Sequence, residues 1–514
     1  METEFKKSTA QTVRMQAPLG ERRIVTELSE DIELPDYQPE IKRLLRAQAS
    51  VSPADRYLGA GSAECAGTVE YSILYSDAEG AIWCAAPSGT YRFSFPIELP
   101  PDVDAGEGLL CDVESRAENL TCRVTAPRRV TLHCRLRSRA QLWGTRVLPD
   151  PVGAEDGMQR LTVCCDSARL LVGEGESFMV GDEILCEQGE GDLRVIAADG
   201  HVFVSEVSVG SGTVNCRGEI CLKLLCCRET AGETETVRRR IPFAQTVEMD
   251  GAEVNCEACA TGFVQEVRVT VGEGRISCEV TARLSVRAAR NEALALPRDA
   301  YSTKAECETD TRALTVPVLL CTGNGNLSVN HTLTAEETGL RAGTTVLDAD
   351  GTVTLEGAEY ERSKYILVGK CRFRAILHCE GELSVQECEV PIRYEVGGAE
   401  SGEAVAAAEL GAEVISCRAR ADGERLTFDA ELALAWMLRG EQTVTVLTDV
   451  RVGNAWQAPS AAYTVCYPAK DDTLWQVAKR YHTAVSTLTA KNALAQAPAA
   501  DAPDSLVGVR YLLI

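Results

Sequence analysis

The side chains best equipped for chemistry in this chain are its 22 cysteines, its five histidines and its abundant carboxylates. Cys256-Glu-Ala-Cys259 alone has the spacing at which two thiolates grip one metal ion. A structural zinc site needs two further ligands at similar spacing, and the histidines stand apart at His133, His201, His331, His378 and His482. The pair therefore reads as buried thiols, and no metal is expected. Gly173-Glu-Gly175, Gly272-Glu-Gly274 and Gly323-Asn-Gly325 lack the following Gly-Lys-Ser/Thr that completes a phosphate-cradling loop. They read as hairpin turns. No zinc-protease helix motif and no nucleophile-elbow serine is present. Arg238-Arg-Arg240 reads as a solvated strand edge, and Asn119-Leu-Thr121 as a chance sequon. These residues predict a non-enzyme that uses no cofactor.

Recognition is the other chemistry available, and its residues gather in the segment from Ser460 onward. Leu474, Val477, Ala478 and Tyr481 fall at i, i+3, i+4 and i+7, one face of an amphipathic helix. Asp471, Asp472 and Thr473 precede it with oxygen-bearing side chains suited to capping the first turn. Tyr463-Thr-Val465 has strand character. A second helix is predicted over Val485 to Lys491, with Thr483 as cap and Asn492 as stop, and Arg510 to Ile514 closes the segment as a strand.

That order resembles the LysM family, a small βααβ module of cell-wall proteins. The resemblance implies a partner- or glycan-binding groove formed by Asp472, Thr473 and Leu474 on one side and by Asn492, Leu494, Val507 and Gly508 on the other. Asp471 stands where the family has Gly, and Val507 where it has Pro. The stretch Ala495 to Asp504 makes the second loop long and alanine-rich. These departures weigh against sugar binding more than against the fold.

At 514 residues the chain is long enough for several domains. A hydrophobic content of 45% is that of a globular protein. No run reaches the roughly 20 apolar residues of a transmembrane helix, and Met1-Glu-Thr-Glu-Phe-Lys-Lys-Ser8 lacks a signal peptide's apolar stretch. These features predict a cytosolic protein with reduced thiols. The net charge of −24 disfavours nucleic acid as a partner. From Ser460 onward there are five basic and four acidic residues, a net of +1, so the preceding body carries −25.

The body repeats. Gly67, Gly218 and Gly369 open similar alternating runs, Gly67 to Tyr75, Gly218 to Cys226 and Gly369 to Leu377, at intervals of 151 (218 − 67 and 369 − 218). Each is followed by a second β segment (Phe93 to Glu98, Phe243 to Glu248, Ile392 to Val396). A later strand then appears in each (Val130 to Leu136, Arg275 to Val280, Leu426 to Ala430). A short helix is predicted near Pro39 to Arg46, and linkers near 150–158, 295–303 and 453–460. The predicted fold is mainly β: three tandem antiparallel sandwich-like domains over 1–152, 153–298 and 299–455, then a βααβ domain over 460–514.

Leu34-Pro-Asp-Tyr-Gln-Pro-Glu-Ile-Lys-Arg-Leu-Leu45, the Gly67 to Tyr75 strand and the Pro242-Phe243 step resemble the SPOCS domain of sporulation proteins. Three such copies followed by a LysM module are similar to the clostridial spore coat morphogenetic proteins. The resemblance implies a scaffold in the mother-cell cytoplasm, at the forespore surface. Its partners would be a coat ATPase like stage IV sporulation protein A and other spore coat proteins. The alternative is an envelope protein binding peptidoglycan or other N-acetylglucosamine glycans.

Overall fold

The computed structural model describes residues 12–59, 61–104, 108–152, 156–185, 193–228, 233–272, 274–398, 404–457, 464–470, 472–494, 506 and 509–514. Among them strand predominates, and every strand pairing is antiparallel. Six sheets associate as three pairs, each pair closing over one apolar core. In the first pair, Thr12–Glu33, Arg129–Pro149 and Leu110–Ala126 face a sheet built on Ser62–Ser76. In the second, Arg275–Ser302 and its neighbours face Leu193–Val209, Thr213–Arg228 and Glu233–Glu248. In the third, Ala305–Leu333, Arg425–Ala455 and Ala407–Asp422 face Thr345–Glu361, Lys364–Cys379 and Glu382–Gly398.

The three repeat glycines lie within central strands rather than opening them, because pairing begins several residues earlier, at Ser62, Thr213 and Lys364. Each faces a residue of a neighbouring strand: Gly67 opposes Tyr91, Gly218 opposes Phe243, and Gly369 opposes Ile392. A Cβ on Gly218 would run into the carbonyl oxygen of Phe203, and one on Gly369 into that of Thr354. Beside each, the neighbouring strand bulges, between Val204 and Glu206 and between Leu355 and Gly357. Close backbone approach is therefore what Gly218 and Gly369 supply, whereas Gly67 makes room for the Tyr91 ring.

Three local expectations are corrected. Pro39 to Arg46 is not a helix; the chain turns, and Arg43–Val51 pairs as a strand with Ser62–Ser76. Ile41, Leu44 and Leu45 imitate helical spacing because a bulge between Leu44 and Arg46 turns successive residues inward. Gly323-Asn-Gly325 is mid-strand rather than a turn, its glycines making room for the Trp436 and Tyr394 rings. The stretch 295–303 is strand as far as Ser302, paired with Met158–Glu174. Leu296, Ala300 and Tyr301 are buried there, and a register shift between Pro297 and Asp299 accommodates the proline.

Equivalent residues of the three sheet pairs meet one another. Leu45 and Ile196 (196 − 45 = 151) share a cluster with Leu347, a further 347 − 196 = 151 along the chain, and with Leu74, Leu225 and Ile376. Side-chain amides stitch neighbouring pairs by mimicking a strand partner. Gln16 exchanges two hydrogen bonds with the Leu170 backbone, Asn291 with Leu319, and Asn324 with Ala260. Arg287 holds Asp112 through two N–H groups at 2.7 and 3.1 Å. Trp143, Ala289 and Ala435 pack in a second shared cluster. The three sheet pairs are thus set in quasi-threefold fashion about a common junction.

Candidate functional site

The C-terminal segment forms a compact βααβ unit. Val465–Cys466 pairs antiparallel with Leu512–Leu513, and helices Leu474–Arg480 and Val485–Lys491 lie between them in the chain. Thr473 caps the first helix: its side chain accepts from Gln476 N at 3.2 Å, and the Gln476 side chain accepts from Thr473 N at 2.9 Å. Asp472 accepts from the Ala469 N–H and from two N–H groups of Arg480. The Arg480 contact and that backbone donor hold its carboxyl below the usual range. Leu474 is buried with Val477, Ala478, Leu488 and Leu512.

Asn492 ends the second helix. Its amide donates to the carbonyls of Leu488 and Leu513, and its Oδ1 accepts from Leu513 N at 2.7 Å. Leu494 packs on the same core as Leu474. The fold therefore brings Asp472, Thr473, Leu474, Asn492 and Leu494 into one small unit. Asp471, Val507 and Gly508 lie outside the described residues. The polar groups of Asp472, Thr473 and Asn492 already have internal partners, so they shape the unit.

The two-stranded face of the unit offers apolar and aromatic side chains outward. Val465 and Leu513 are cross-strand partners, 44% and 39% exposed, and Tyr467 and Tyr511 beside them are 77% and 56% exposed. Cys466 and Leu512 between them are buried. Every residue of Val465-Cys-Tyr467 and Tyr511-Leu-Leu513 is apolar or aromatic, so the sequence carries no alternation to mark the outward face.

The unit is fastened to the body by contacts that leave no local mark in the sequence. Asp299 takes the Trp475 indole N–H at 2.8 Å on one oxygen and Lys479 Nζ at 2.6 Å on the other. Tyr301 lies edge-on to Trp475 at 4.9 Å between ring centroids, and its hydroxyl donates to the Thr483 carbonyl. His482 Nδ1 donates to the Ser302 carbonyl, and its ring stacks on Trp456 at 4.0 Å. An apolar core continuous with Tyr301 and Leu161 completes the seam.

A second polar centre sits at the threefold junction, beside a cavity of about 1570 Å³ lined by all three sheet pairs. Arg46, 2% exposed, bonds Asp348 at 3.0 Å, Asp350 at 3.2 Å and Asp199 at 3.2 Å, and Lys223 joins Asp348. Burial opposes charge on Arg46, but the carboxylates outweigh it and raise its pKa. Burial raises Asp350, with Arg46 and Lys223 opposing. On the cavity wall, His201 Nδ1 lies 2.6 Å from Glu413. Burial there is outweighed by Glu413 and Asp199, so the imidazole pKa is raised.

Cys256 and Cys259 are buried. Among the described residues no three His, Cys, Asp or Glu side chains gather as a metal would require. No helix of the described residues is long and apolar enough to cross a membrane.

Residues 193–272 match the family described as SipL, SPOCS domain. The match covers the whole sheet built on Thr213–Arg228 and the strand Glu257–Gly272 of the sheet facing it. No curated protein and no solved structure matches the chain.

Proposed function

We propose that this chain is a non-catalytic scaffold of the bacterial spore coat. The observation that carries this reading is the SPOCS match over 193–272, in a segment whose central glycine recurs 151 residues to either side, each time inside the middle strand of a sheet. The sheet pairs support SPOCS-type domains over 1–152, 153–298 and 299–455. The βααβ order supports a LysM-type domain over 460–514. In this reading the scaffold acts in the mother-cell cytoplasm at the forespore surface, docking on a coat ATPase like stage IV sporulation protein A and promoting encasement by other coat proteins.

The docking face is assigned to Val465, Tyr467, Tyr511 and Leu513. Exposed aromatic and aliphatic side chains are the usual anchors of a protein interface, and the polar groove residues are engaged internally. A fluorescently tagged chain in a sporulating cell tests the reading. A shell around the forespore supports it, and diffuse or extracellular signal rejects it. The alternative, a binder of peptidoglycan or N-acetylglucosamine polymers, draws on the same two tyrosines, because aromatic faces stack on sugar rings. Retention of the chain on chitin or peptidoglycan, abolished by Tyr467→Ala with Tyr511→Ala, would favour it.

A further inference from the structure

We propose that Arg238 and Arg418 form an anion site, suited to a phosphate group, where the second and third sheet pairs meet at the central cavity. Arg238 lies in Glu233–Glu248 of the second pair and Arg418 in Ala407–Asp422 of the third, and both line the cavity. A guanidinium N–H of Arg238 donates to the Cys417 carbonyl at 2.8 Å. That carbonyl belongs to the peptide bond that leads into Arg418. The hydrogen bond therefore holds one guanidinium at the base of the other arginine.

The two charges meet without a carboxylate to neutralise them. Among the described residues neither arginine has a carboxylate within ion-pair distance. Four other arginines of the same wall do: Arg239 with Asp182, Arg240 with Glu219, Arg372 with Glu389 and Arg374 with Glu387. Arg238 is half-buried. Burial and then the Arg418 charge lower its pKa, with Asp348 opposing.

The repeat supplies an internal comparison. Lys223 and Arg374 hold one position of the central strand in the second and third sheet pairs (374 − 223 = 151). Cross-strand from Arg374 stands Glu387, which it bonds at 2.6 Å. Cross-strand from Lys223 stands Arg238 itself, a like charge on the same face, an arrangement that costs stability. Lys223 finds its carboxylate in the third pair, at Asp348, 2.8 Å away. Arg46 and Lys223 between them engage Asp199, Asp348 and Asp350, so the uncompensated positive charge lies at Arg238 and Arg418.

Guanidinium groups present paired N–H donors that match the oxygens of a phosphate. A phosphate group carries about −1.5 to −2 charges at pH 7, enough to answer two arginines. The cavity of about 1570 Å³ leaves room for it. The chain's net charge of −24 repels a long polyanion, so the ligand is a small phosphate compound.

The test is calorimetric titration of the full chain at low salt with inorganic phosphate and, separately, with phosphoserine. The two probes distinguish the free ion from a phosphoryl group carried on a larger molecule. Saturable binding of at least one of them, at one site per chain, is expected. Arg418→Gln, which leaves the Arg238–Cys417 hydrogen bond in place, should weaken binding about tenfold, the loss of a charge-assisted hydrogen bond. Arg238→Gln should do the same and Arg238→Lys should retain part of the affinity, while Arg372→Gln should bind like the unmodified chain. Bound phosphate should also shield Arg238 and Arg418 from phenylglyoxal, read by peptide mass spectrometry. Absence of saturable binding by both probes, or binding that Arg418→Gln leaves undiminished, would overturn the proposal.

Discussion

Arg46 shows how one side chain can hold three parts of a molecule together. Its partners Asp199, Asp348 and Asp350 belong to the other two sheet pairs, so removing the guanidinium leaves three clustered carboxylates with Lys223 as the cation that bonds Asp348. Arg46→Met is expected to destabilise the chain by about 3–5 kcal/mol, the cost of breaking a buried ion pair from one side, read as a lower denaturation midpoint. At the cavity wall, the His201 pKa lies above its unfolded value of 6.5. Its stabilising contribution is full below that pH and is lost as pH rises through the folded value. His201→Gln should flatten this part of the pH–stability curve, measured by thermal unfolding across pH 5.5–8.5 (about the range in which histidine titrates). Neither contact was legible in the sequence, because each joins residues far apart in the chain with no local signature.

The elements were legible where alternation is strong and obscured where a bulge breaks it. The runs beginning at Gly67, Gly218 and Gly369 were recognisable as strands, and the structure extends each in both directions. Pro39 to Arg46 reads as a helix because the bulge at the start of Arg43–Val51 places Leu45 and Arg46 inward in succession. The strand through Pro297 was taken for a linker because proline and charge outweigh a short apolar pattern in any local reading. The repeat glycines predict a severe effect: Gly369→Ala should destabilise by roughly 1–3 kcal/mol, the cost of overpacking, whereas Gly357→Ala, with open space at its Cβ, should not. Both are measured by urea denaturation. In the C-terminal unit both helices were legible from their period and the first from its Thr473 cap, whereas the second starts from Ala484 with no side-chain cap rather than from Thr483, and the bracing role of Asn492 had no sequence signal. Asn492→Ala removes two hydrogen bonds to Leu513 in the last strand and one to the Leu488 carbonyl of its own helix. It should cost about 1–3 kcal/mol, seen as loosening of the unit by amide exchange at Leu513.

At the scale of the molecule, the 151-residue period announced the threefold body, and the spatial convergence of equivalent positions emerged only from the fold. The C-terminal unit is seated on that body by Asp299, Tyr301 and the Trp456–His482 stack rather than hanging from a linker. Asp299→Asn should weaken the seat, giving a red shift and easier quenching of Trp475 fluorescence in a chain whose other tryptophans are replaced by Phe. Seating leaves Val465, Tyr467, Tyr511 and Leu513 facing outward. The decisive measurement is the affinity of the full chain for a purified coat ATPase like stage IV sporulation protein A, with Tyr467→Ser/Tyr511→Ser as the paired variant and an N-acetylglucosamine polymer as the competing ligand. Saturable binding to the ATPase, weakened at least about tenfold (1.4 kcal/mol) in a variant with unchanged circular dichroism, is the predicted result. Undiminished binding by the variant, or binding to the polymer with none to the ATPase, would contradict it.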